Sequence, residues 1–363
     1  MVSGYEIDFL PVGEGERSGD AIAIRWFEGA ESKVMIYDGG TRDYGKVLVE
    51  HVQQHFQTDY VHYVVNSHPD NDHAGGLEYV LENLRVGQVW MHKPWDYSAA
   101  IRSYFHDGRI TDESLKERLQ KKMSAAYAVQ KAAEKRGIPV YEPFAGSQIG
   151  IFTVLSPERE RYIHELIPEF EKSPVLKKEA AALTSIFDSA YDAVKGAIGY
   201  IADLWDHEVL PDDVSTSAEN ESSVILFGTA ASEGILLTGD AGTDSLKAAA
   251  QYARSIGINL AQQVTFVQIP HHGGRHNVST VALDLVVGAP GPRVTETRKA
   301  AYVSAAKAAP KHPKRVVTNA FHRRGFKVVQ TKGEAKWRNV NVPQRPGYSS
   351  PAQYVPFYDE VEK

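Results

Sequence analysis

The sequence predicts an α/β protein, and three observations support this class. The first ninety residues alternate β-like segments with turn signals, and one helical stretch at 44–56 interrupts them. Further β-like runs return at 148–157 and after residue 222, again separated by helical stretches. Apolar residues make up 42% of the 363, which is enough for a well-buried core.

The elements follow one another in a regular order. Predicted strands cover 5–13, 20–27, 33–40, 60–67, 86–95, 148–157, 222–228, 234–241, 264–274, 299–306 and 326–331. Predicted helices cover 74–84, 243–257 and 312–325. We find no internal repeat and no low-complexity tract, so we expect one domain over 1–363.

Two helical blocks, 98–137 and 157–209, interrupt the strand pattern and are predicted as insertions within that domain. In the first block, 111–137 predicts one long amphipathic helix that begins at a Thr111 or Asp112 cap and ends at Gly137. The last residues, 340–363, are rich in proline and aromatic side chains and are expected to form an ordered tail over the surface.

Composition excludes several kinds of chemistry. The chain has no cysteine, so disulfides, thiolate zinc sites and a cysteine nucleophile are ruled out, and any metal must be held by histidine and carboxylate. The N-terminus lacks the pattern of a secretory signal, and no segment has the roughly 18 apolar residues of a membrane span. We therefore expect a cytoplasmic enzyme with no membrane partner.

The net charge of −6 conceals a basic segment at 293–338, which carries 13 Lys and Arg against Glu296 and Glu334. One interpretation is a set of solvated helix faces, the usual meaning of scattered charges. The other is a surface that faces phosphate groups, placed beside an acidic body.

The turn "VVNSHPDNDHAGG" at 64–76 places His68, Asp70, Asp72 and His73 within six residues, directly after an apolar strand. Two imidazoles and two carboxylates in one small volume are costly to desolvate unless a divalent cation joins them. Gly75 and Gly76 would let the backbone approach closely and keep the open face of a metal clear. A polar surface turn is the alternative, but four ligand-type side chains at this spacing favour a metal site.

Two further strand ends carry side chains of the same kind. Asp240 follows the apolar run "GILLTG", and His271 and His272 follow "VTFVQIP". Taken singly, Asp240 could be a turn residue, and one of two adjacent histidines usually packs or bonds structurally. Because three strand ends each deliver metal-competent side chains, we expect them to meet at one site.

These motifs together resemble the metallo-β-lactamase superfamily, and more narrowly the nuclease-like domain of ComEC-type competence proteins. The matching segments are "FLPVGEGERSGDAIAIRW", "VMIYDGG", "SHPDNDHAGG", "ENESSVILF", "LLTGDA", "IPHHGG" and "KHP" at 311–313. The similarity covers most of the chain outside the two helical blocks.

The resemblance implies a four-layer αββα sandwich with the metals at one edge of the sheets. It implies one or two divalent ions, zinc or manganese, and a support role for Asp38 behind the metal turn. The implied metal ligands are His68, Asp70, Asp72, His73, Asp240 and His271. His272 is either the ligand in place of His271 or its neighbour and proton donor.

Two departures from the wider superfamily pattern concern the metal. Asp70 replaces the commoner histidine, and Asn220 with Ser222 and Ser223 occupies a region where a histidine is often found. One metal position is then poor in nitrogen ligands, and such a site accepts manganese or magnesium as readily as zinc.

The implied activity is that of a metal-dependent hydrolase that uses a metal-activated hydroxide, most simply a phosphodiesterase or nuclease. Asp72, His272 and His312 are the candidate catalytic residues. The candidate substrate-binding residues are Asn220, Arg275, His276 and Lys311, and cationic help for a phosphodiester would come from His312, Lys311 and Arg275.

Because the family places the "KHP" turn near the site, the phosphate-facing interpretation of the basic segment gains weight, and a phosphodiester or nucleic acid is the expected partner. Hydrolysis of a lactone, thioester or β-lactam, and a catalytically silent interaction module, remain alternatives, because a fold does not fix a function. Nothing in the sequence indicates a protein partner, an oligomeric state or a base-reading module.

Overall fold

The computed structural model describes residues 2–177, 200–348 and 353–362. Sixteen strands lie in these described residues: β1 (Val2–Phe9), β2 (Ala21–Glu28), β3 (Glu31–Gly39), β4 (Tyr60–Val65), β5 (Arg85–Trp90), β6 (Val140–Tyr141), β7 (Gln148–Ile149), β8 (Phe152–Ser156), β9 (Tyr200–Ala202), β10 (Ile225–Ala230), β11 (Glu233–Leu237), β12 (Val264–Gln268), β13 (Ala300–Val303), β14 (Lys327–Gln330), β15 (Lys336–Val340) and β16 (Glu360–Glu362).

The α-helices of the same residues are α1 (Tyr44–His51), α2 (Asn71–Ala74), α3 (Leu77–Asn83), α4 (Ser98–Ile101), α5 (Asp112–Lys122), α6 (Ser124–Lys135), α7 (Arg159–Arg161), α8 (Ile167–Glu169), α9 (Ala218–Glu221), α10 (Thr243–Ser255), α11 (Leu260–Gln263), α12 (Thr280–Val287) and α13 (Arg315–Arg323). Single 3₁₀ turns lie at Pro94–Tyr97, Arg102–Tyr104 and His271–Gly273, and π-helical turns at Val52–Phe56 and Tyr162–Leu166. None of the described helices has the length and hydropathy that crossing a membrane requires.

The strands form two large sheets. The first sheet has the order β15-β1-β2-β3-β4-β5-β6, and the second has the order β14-β13-β12-β11-β10-β8-β7. In the first sheet β3, β4, β5 and β6 run parallel, and in the second β11, β12, β13 and β14 do so. Because neighbouring parallel strands end at the same edge, the loops that follow β3 and β4 meet, and so do those that follow β11 and β12.

The two sheets pack face to face, and helices cover both outer faces. Inward-facing side chains of β1, Tyr5, Ile7 and Phe9, share one buried cluster with Leu226 and Phe266 of the second sheet. Separate apolar clusters join each outer face to its helices. These four layers confirm the predicted mixed α/β class, since strands with a period of two bury one face between the sheets and the other under helices.

The predicted long helix at 111–137 is two helices, so that prediction is wrong in one respect. Thr111 does cap α5, and its Oγ1 accepts a hydrogen bond from the Ser114 amide at 3.1 Å. At Met123 the backbone leaves the helical region (φ −111°, ψ 47°), and the Met123 side chain is fully buried. The break re-aims the chain so that both α5 and α6 pack on the helix-side core of the first sheet.

The second helical block is described only in part. Residues 159–169 are helical, whereas 200–202 form β9. The stretch 178–199, which lies inside the predicted 157–209 block, falls outside the described residues.

The C-terminal tail is tied to the fold by several contacts. Strand β15 pairs with β1, and β16 pairs with β9. The guanidinium of Arg345 donates to both carboxylate oxygens of Asp8, at 2.9 Å each, and also to Glu6. Both carboxylates belong to the outward face of β1 and are fully buried. Arg25 also pairs with Glu6, and His51 lies 3.3 Å from Asp8, so Arg345 supplies part of the counter-charge of Glu6 and the two guanidinium bonds of Asp8.

Replacing Arg345 by alanine should lower the free energy of unfolding by about 3–5 kcal/mol, because buried Asp8 loses the guanidinium that bonds both of its oxygens and buried Glu6 loses one of its two guanidinium partners. The matched control is Lys336→Ala, which breaks the pair with Glu334, a carboxylate that is 78% exposed, and should cost less than about 1 kcal/mol. Urea unfolding of both variants measures the difference. Equal losses in the two variants would show that Arg345 is no more than a surface contact.

Candidate metal centre

Four strand ends converge on one buried pocket of charge. The first sheet contributes Asp38 at the end of β3 and His68 in the loop after β4. The second sheet contributes Asp240 after β11 and the histidine pair after β12. The structure therefore brings together the separate segments that the sequence predicted would meet.

Asp38 organises the turn that carries the first-sheet side chains. Its carboxylate accepts hydrogen bonds from the Ser67 amide at 2.7 Å, the Ser67 hydroxyl at 2.6 Å and His73 Nδ1 at 2.9 Å. Asp38 has φ 61°, a left-handed conformation that costs a non-glycine residue energy and is often found at functional sites. These bonds fix the His73 ring so that its Nε2 points away from Asp38.

The glycine pair after the turn lets the backbone approach closely, which confirms one of its two predicted roles. A Cβ on Gly76 would lie 2.0 Å from the carbonyl oxygen of Gly39. Gly76 is therefore required where α3 crosses the end of β3.

Inside the pocket, imidazole nitrogens face carboxylates at distances longer than a hydrogen bond. His73 Nε2 lies 3.4 Å from Asp240 Oδ1, and His68 Nε2 lies 3.9 Å from Asp240 Oδ2. His272 Nε2 lies 3.8 Å from Asp72 Oδ2 and 4.0 Å from Asp240 Oδ2. Such spacings leave room for an ion between the groups.

The donor set fits a divalent cation. His68 Nε2, His73 Nε2, His272 Nε2 and Asp240 Oδ1 are all buried and have no hydrogen-bond partner among the described residues. Several triplets of these side chains have ligand atoms within 4.8 Å of one another, including His68, His73 and Asp240, and also Asp72, His73 and His272. Buried polar groups are rarely left unpaired, so four of them facing one volume indicate a ligand there.

Electrostatics point the same way. Burial opposes a charged His73, but Asp240 and Asp38 outweigh burial and raise its pKa well above the usual range. Burial likewise opposes a charged His272, yet Asp240 and Asp72 raise its pKa to about 9. Burial also works against ionisation of Asp240, and His73, His271 and His272 nonetheless hold its pKa well below normal. The carboxylates are thus stabilised by nearby positive charge, which protonated His73 and His272 supply when no cation is bound.

Of the adjacent histidines, His272 lies in the cluster and His271 lies beside it. The sequence assigned the ligand role to His271 and left His272 as the alternative; the structure places His272 Nε2 among the ligand groups. His271 Nδ1 instead lies 2.6 Å from Asp240 Oδ2 and 3.1 Å from Asn220 Nδ2. Both histidines have left-handed φ values, 47° and 55°, a backbone strain that aims adjacent side chains at two different positions.

Asp20 is a member of the cluster that the sequence analysis missed. It is buried at the start of β2, its Oδ2 accepts from Gln268 Nε2 at 2.9 Å, and its Oδ1 has no partner among the described residues. Burial raises its pKa, while His272 and His73 oppose that rise. An aspartate that opens an otherwise apolar strand in "GDAIAI" was the available signal.

Asp70 lies at the rim of the cluster and not at its centre. His68 Nε2 is 3.7 Å from Asp70 Oδ2, and the ammonium of Lys172 donates to Asp70 Oδ1. Lys172 also lies 3.7 Å from Glu219 Oε1, and Glu219 is buried. The sequence gave no signal for Lys172, which lies in the second helical block.

The "KHP" turn packs against the histidine loop. The Lys314 amide donates to the Gly273 carbonyl at 3.0 Å. Burial, with His272 and His271 nearby, lowers the pKa of His312 to about 4, so His312 is neutral at pH 7 and does not supply the cationic help the sequence analysis gave it. Lys311 is exposed and Lys314 half-buried, and neither forms an ion pair with a described residue.

The other predicted substrate residues surround this loop. His276 is exposed, and burial, Arg275 and Lys314 all lower its pKa, so the three side chains are neighbours. Asn220 Nδ2 donates to Thr216 Oγ1 at 2.7 Å. Thr216 also lines a cavity of about 700 Å³, so Asn220 links His271 to the wall of that cavity.

Most of the basic segment does not face a site. Arg323 pairs with Asp203, Arg324 with Glu208 and Asp284, and Arg338 with Glu233. Arg293 lies over the Trp205 ring and Lys327 over Tyr354. The local excess of positive charge is therefore largely consumed inside the fold, and only the part around Lys311 and Lys314 borders the cluster.

Comparison with known proteins gives a family match and distant structural similarities. Residues 15–170 match the model of the metallo-beta-lactamase superfamily. No curated protein sequence matches the chain.

Three solved structures illustrate the structural similarity. The YhfI protein of Bacillus subtilis, described as a metallo-beta-lactamase fold protein, is 8% identical, with 93% of this chain and 100% of that chain covered and a TM-score of 0.39. A candidate metallo-beta-lactamase of Thermotoga maritima is 10% identical, with 65% and 78% covered and a TM-score of 0.33. The metallo-beta-lactamase SMB-1 bound to 2-mercaptoethanesulfonate is 10% identical, with 74% and 82% covered and a TM-score of 0.31.

All three TM-scores lie below 0.5 and add nothing to the assignment. The family match includes Asp20, Asp38 and the whole 64–76 turn, which supply the first-sheet half of the cluster. Residues 15–170 thus resemble a metallo-beta-lactamase superfamily domain, within a mixed α/β fold of two large sheets and flanking helices.

Proposed function

We propose that this protein is a metal-dependent hydrolase that cleaves phosphodiester bonds. The observation that carries the proposal is the position of the Lys311–Lys314 turn, which packs directly on the loop of His272 at the rim of the histidine and carboxylate cluster. A site for a divalent cation and a site for an anionic group then share one edge.

Asp72, His73, His272 and Asp240 would hold the cation, with His68 beside them. A divalent cation bound there supplies an activated water at neutral pH and polarises the bond under attack. Asp38 fixes the His73 ring through Nδ1, and Asp240 does the same for His271.

His271 is half-buried and lies beside the cluster, which suits it to pass a proton between the reacting groups and solvent. Its neighbour His272 is then the cation ligand, the reverse of the first assignment made from the sequence.

Phosphodiester cleavage needs positive charge where negative charge develops. Lys311 and Lys314 supply it from the rim, and Arg275 and His276 belong to the same surface. His312, neutral at pH 7, is suited to a hydrogen bond with the substrate. A nuclease of the competence type is one form of this proposal, and a phosphodiesterase for small substrates is another.

One observation favours a second candidate, the hydrolysis of a carbonyl ester. Among the described residues, the cavity beside Thr216 is lined by four carboxylates, those of Glu165, Glu169, Glu221 and Asp244, and by two permanently cationic side chains, Arg161 and Lys177. An acidic lining disfavours a long polyanion. A compact or uncharged substrate would meet no such repulsion.

Substrate class can be tested directly. With added manganese or zinc, the protein should hydrolyse bis-p-nitrophenyl phosphate, and single- or double-stranded DNA, RNA and cyclic nucleotides would then define the natural class. The parallel assays use a lactone, a thioester and a β-lactam. Opening of any of these by a protein that leaves every phosphodiester intact would reverse the ranking, and a chain that binds no cation would be an interaction module.

The rim lysines should matter for a phosphodiester and not for a neutral ester. Lys311→Ala combined with Lys314→Ala should raise the KM for bis-p-nitrophenyl phosphate about tenfold, since a hydrogen bond to a charged group contributes roughly 1.5–3 kcal/mol. Lys336→Ala, which removes a lysine that pairs with Glu334, is the control. An unchanged KM in the double variant would remove the lysines from the substrate site.

Cation binding should release protons, because His73 and His272 have raised pKa values and bind a cation only when neutral. At pH 7 we expect about one to two protons released per cation, and an affinity that rises about tenfold per pH unit for each proton. Calorimetry in buffers of different ionisation enthalpy measures the number. His272→Gln should release about one proton fewer; release of no proton by the unmodified protein would contradict these protonation states.

A further inference from the structure

The two halves of the cluster are unequally built. On one side, Asp72, His73 and His272 place ligand atoms within 4.8 Å of one another, and Asp240 adds a fourth ligand group, with its Oδ1 3.4 Å from His73 Nε2. Both imidazole Nε2 atoms on this side are buried and unpaired among the described residues. This half offers four donor groups, two imidazoles and two carboxylates, for one cation.

The other half offers much less. His68 has Asp70 at 3.7 Å and shares Asp240 with the first half, at 3.9 Å. Within the described residues, no group of three mutually close ligand atoms includes Asp70. His68 does lie within 4.8 Å of ligand atoms of His73 and Asp240, but both of these belong to the first half. Only His68 and Asp70 are then left to the second half alone.

Asp70 already forms an ion pair with a cationic side chain, that of Lys172. The ammonium of Lys172 donates to Asp70 Oδ1, and both side chains are less than 30% exposed. Glu219, buried and 3.7 Å from the same ammonium, adds negative charge on its far side. A second divalent ion at this carboxylate would have to displace the ammonium or lie against it, and like charges at that distance repel.

The backbone of Lys172 is fixed by the fold and not by the ion pair. Phe170 is buried in the helix-side core, and the Lys172 amide donates to Glu219 Oε1 at 3.3 Å. Ser173 closes the turn, with its amide on the Phe170 carbonyl at 2.9 Å and its hydroxyl on the Ile167 carbonyl at 2.7 Å. The ammonium is thus delivered to Asp70 by a segment that is anchored on both sides.

We infer that Lys172 is a positioning residue that takes the place of a second metal ion: its ammonium neutralises Asp70 beside His68, so that the site holds one divalent cation, on Asp72, His73, His272 and Asp240. The inference rests on the proposed metal-dependent function. Lys172 would then set the number of cations that the proposed site binds.

The test is the number of cations bound, and it needs no substrate. The full chain is stripped with a chelator, titrated with Mn²⁺ and with Zn²⁺ by calorimetry, and analysed for metal content after dialysis. The unmodified protein should bind one cation per chain. Lys172→Met should bind two, since Asp70 becomes available, whereas Lys172→Arg, which keeps the charge, should remain at one.

Two further variants separate the halves of the site. Asp72→Asn should weaken binding of the single cation at least tenfold, whereas Asp70→Asn should leave its affinity within about twofold. Lys336→Met is the matched control, since Lys336 pairs with Glu334 and not with a carboxylate of the cluster, and it should behave as the unmodified protein does. Thermal unfolding of each cation-free variant shows whether it is folded before its titration is interpreted.

Two cations bound by the unmodified protein would overturn the inference without any variant, and so would a folded Lys172→Met protein that still binds one. Binding of none by the unmodified protein would overturn both this inference and the proposed function. A count of one that rises to two in Lys172→Met, in a protein that hydrolyses no ester, would uphold the role of Lys172 and refute the proposed function alone.

Discussion

Negative charge gathered at one edge of the two sheets is the constraint on which the rest of the structure depends. Asp20, Asp38 and Asp240 are all buried there, with Asp72 and Asp70 at the rim. Buried carboxylates are tolerated only when positive charge or hydrogen bonds compensate them. Ser67 donates to Asp38 and Gln268 donates to Asp20. His73 and His272, whose pKa values are raised, compensate the other carboxylates.

The same principle operates elsewhere in the chain with fixed partners. Arg345 pairs with Glu6 and Asp8 on β1, and Arg323 pairs with Asp203, and these ion pairs are buried. At the strand ends the buried carboxylates are instead compensated by histidines, which can exchange a proton for a cation. A structural ion pair therefore has a permanently charged side chain as its counter-charge, whereas the candidate metal centre has histidines whose proton a cation can replace.

Much of this arrangement could be predicted from the sequence, because its signals are local. Alternating apolar positions indicated the strands, and ligand-type residues directly after them indicated the site. The break at Met123 could not be predicted, since the amphipathic period continues across it and only burial of the Met123 side chain reveals the turn. The choice between His271 and His272 was equally hidden, because it depends on left-handed backbone angles that the sequence does not display.

Contacts between residues far apart in the sequence account for the remaining differences. Lys172 and Asp70 are 102 positions apart in the sequence, and the residues around each give no sign of the contact between them. The basic segment suggested a phosphate-facing surface until partners such as Asp203, Glu208 and Glu233 were seen to neutralise it. Charge counted along a chain overstates the charge that a folded surface displays.

The split origin of the cluster bears on how the protein is made. His68, Asp72 and His73 leave the ribosome more than 160 residues before Asp240 and the histidine pair. The first sheet alone has half a site, with buried carboxylates that only the second sheet can help to neutralise. A cation that binds when the two sheets dock would therefore stabilise the docked state over the undocked one. Folding of the chain would then depend on the supply of metal.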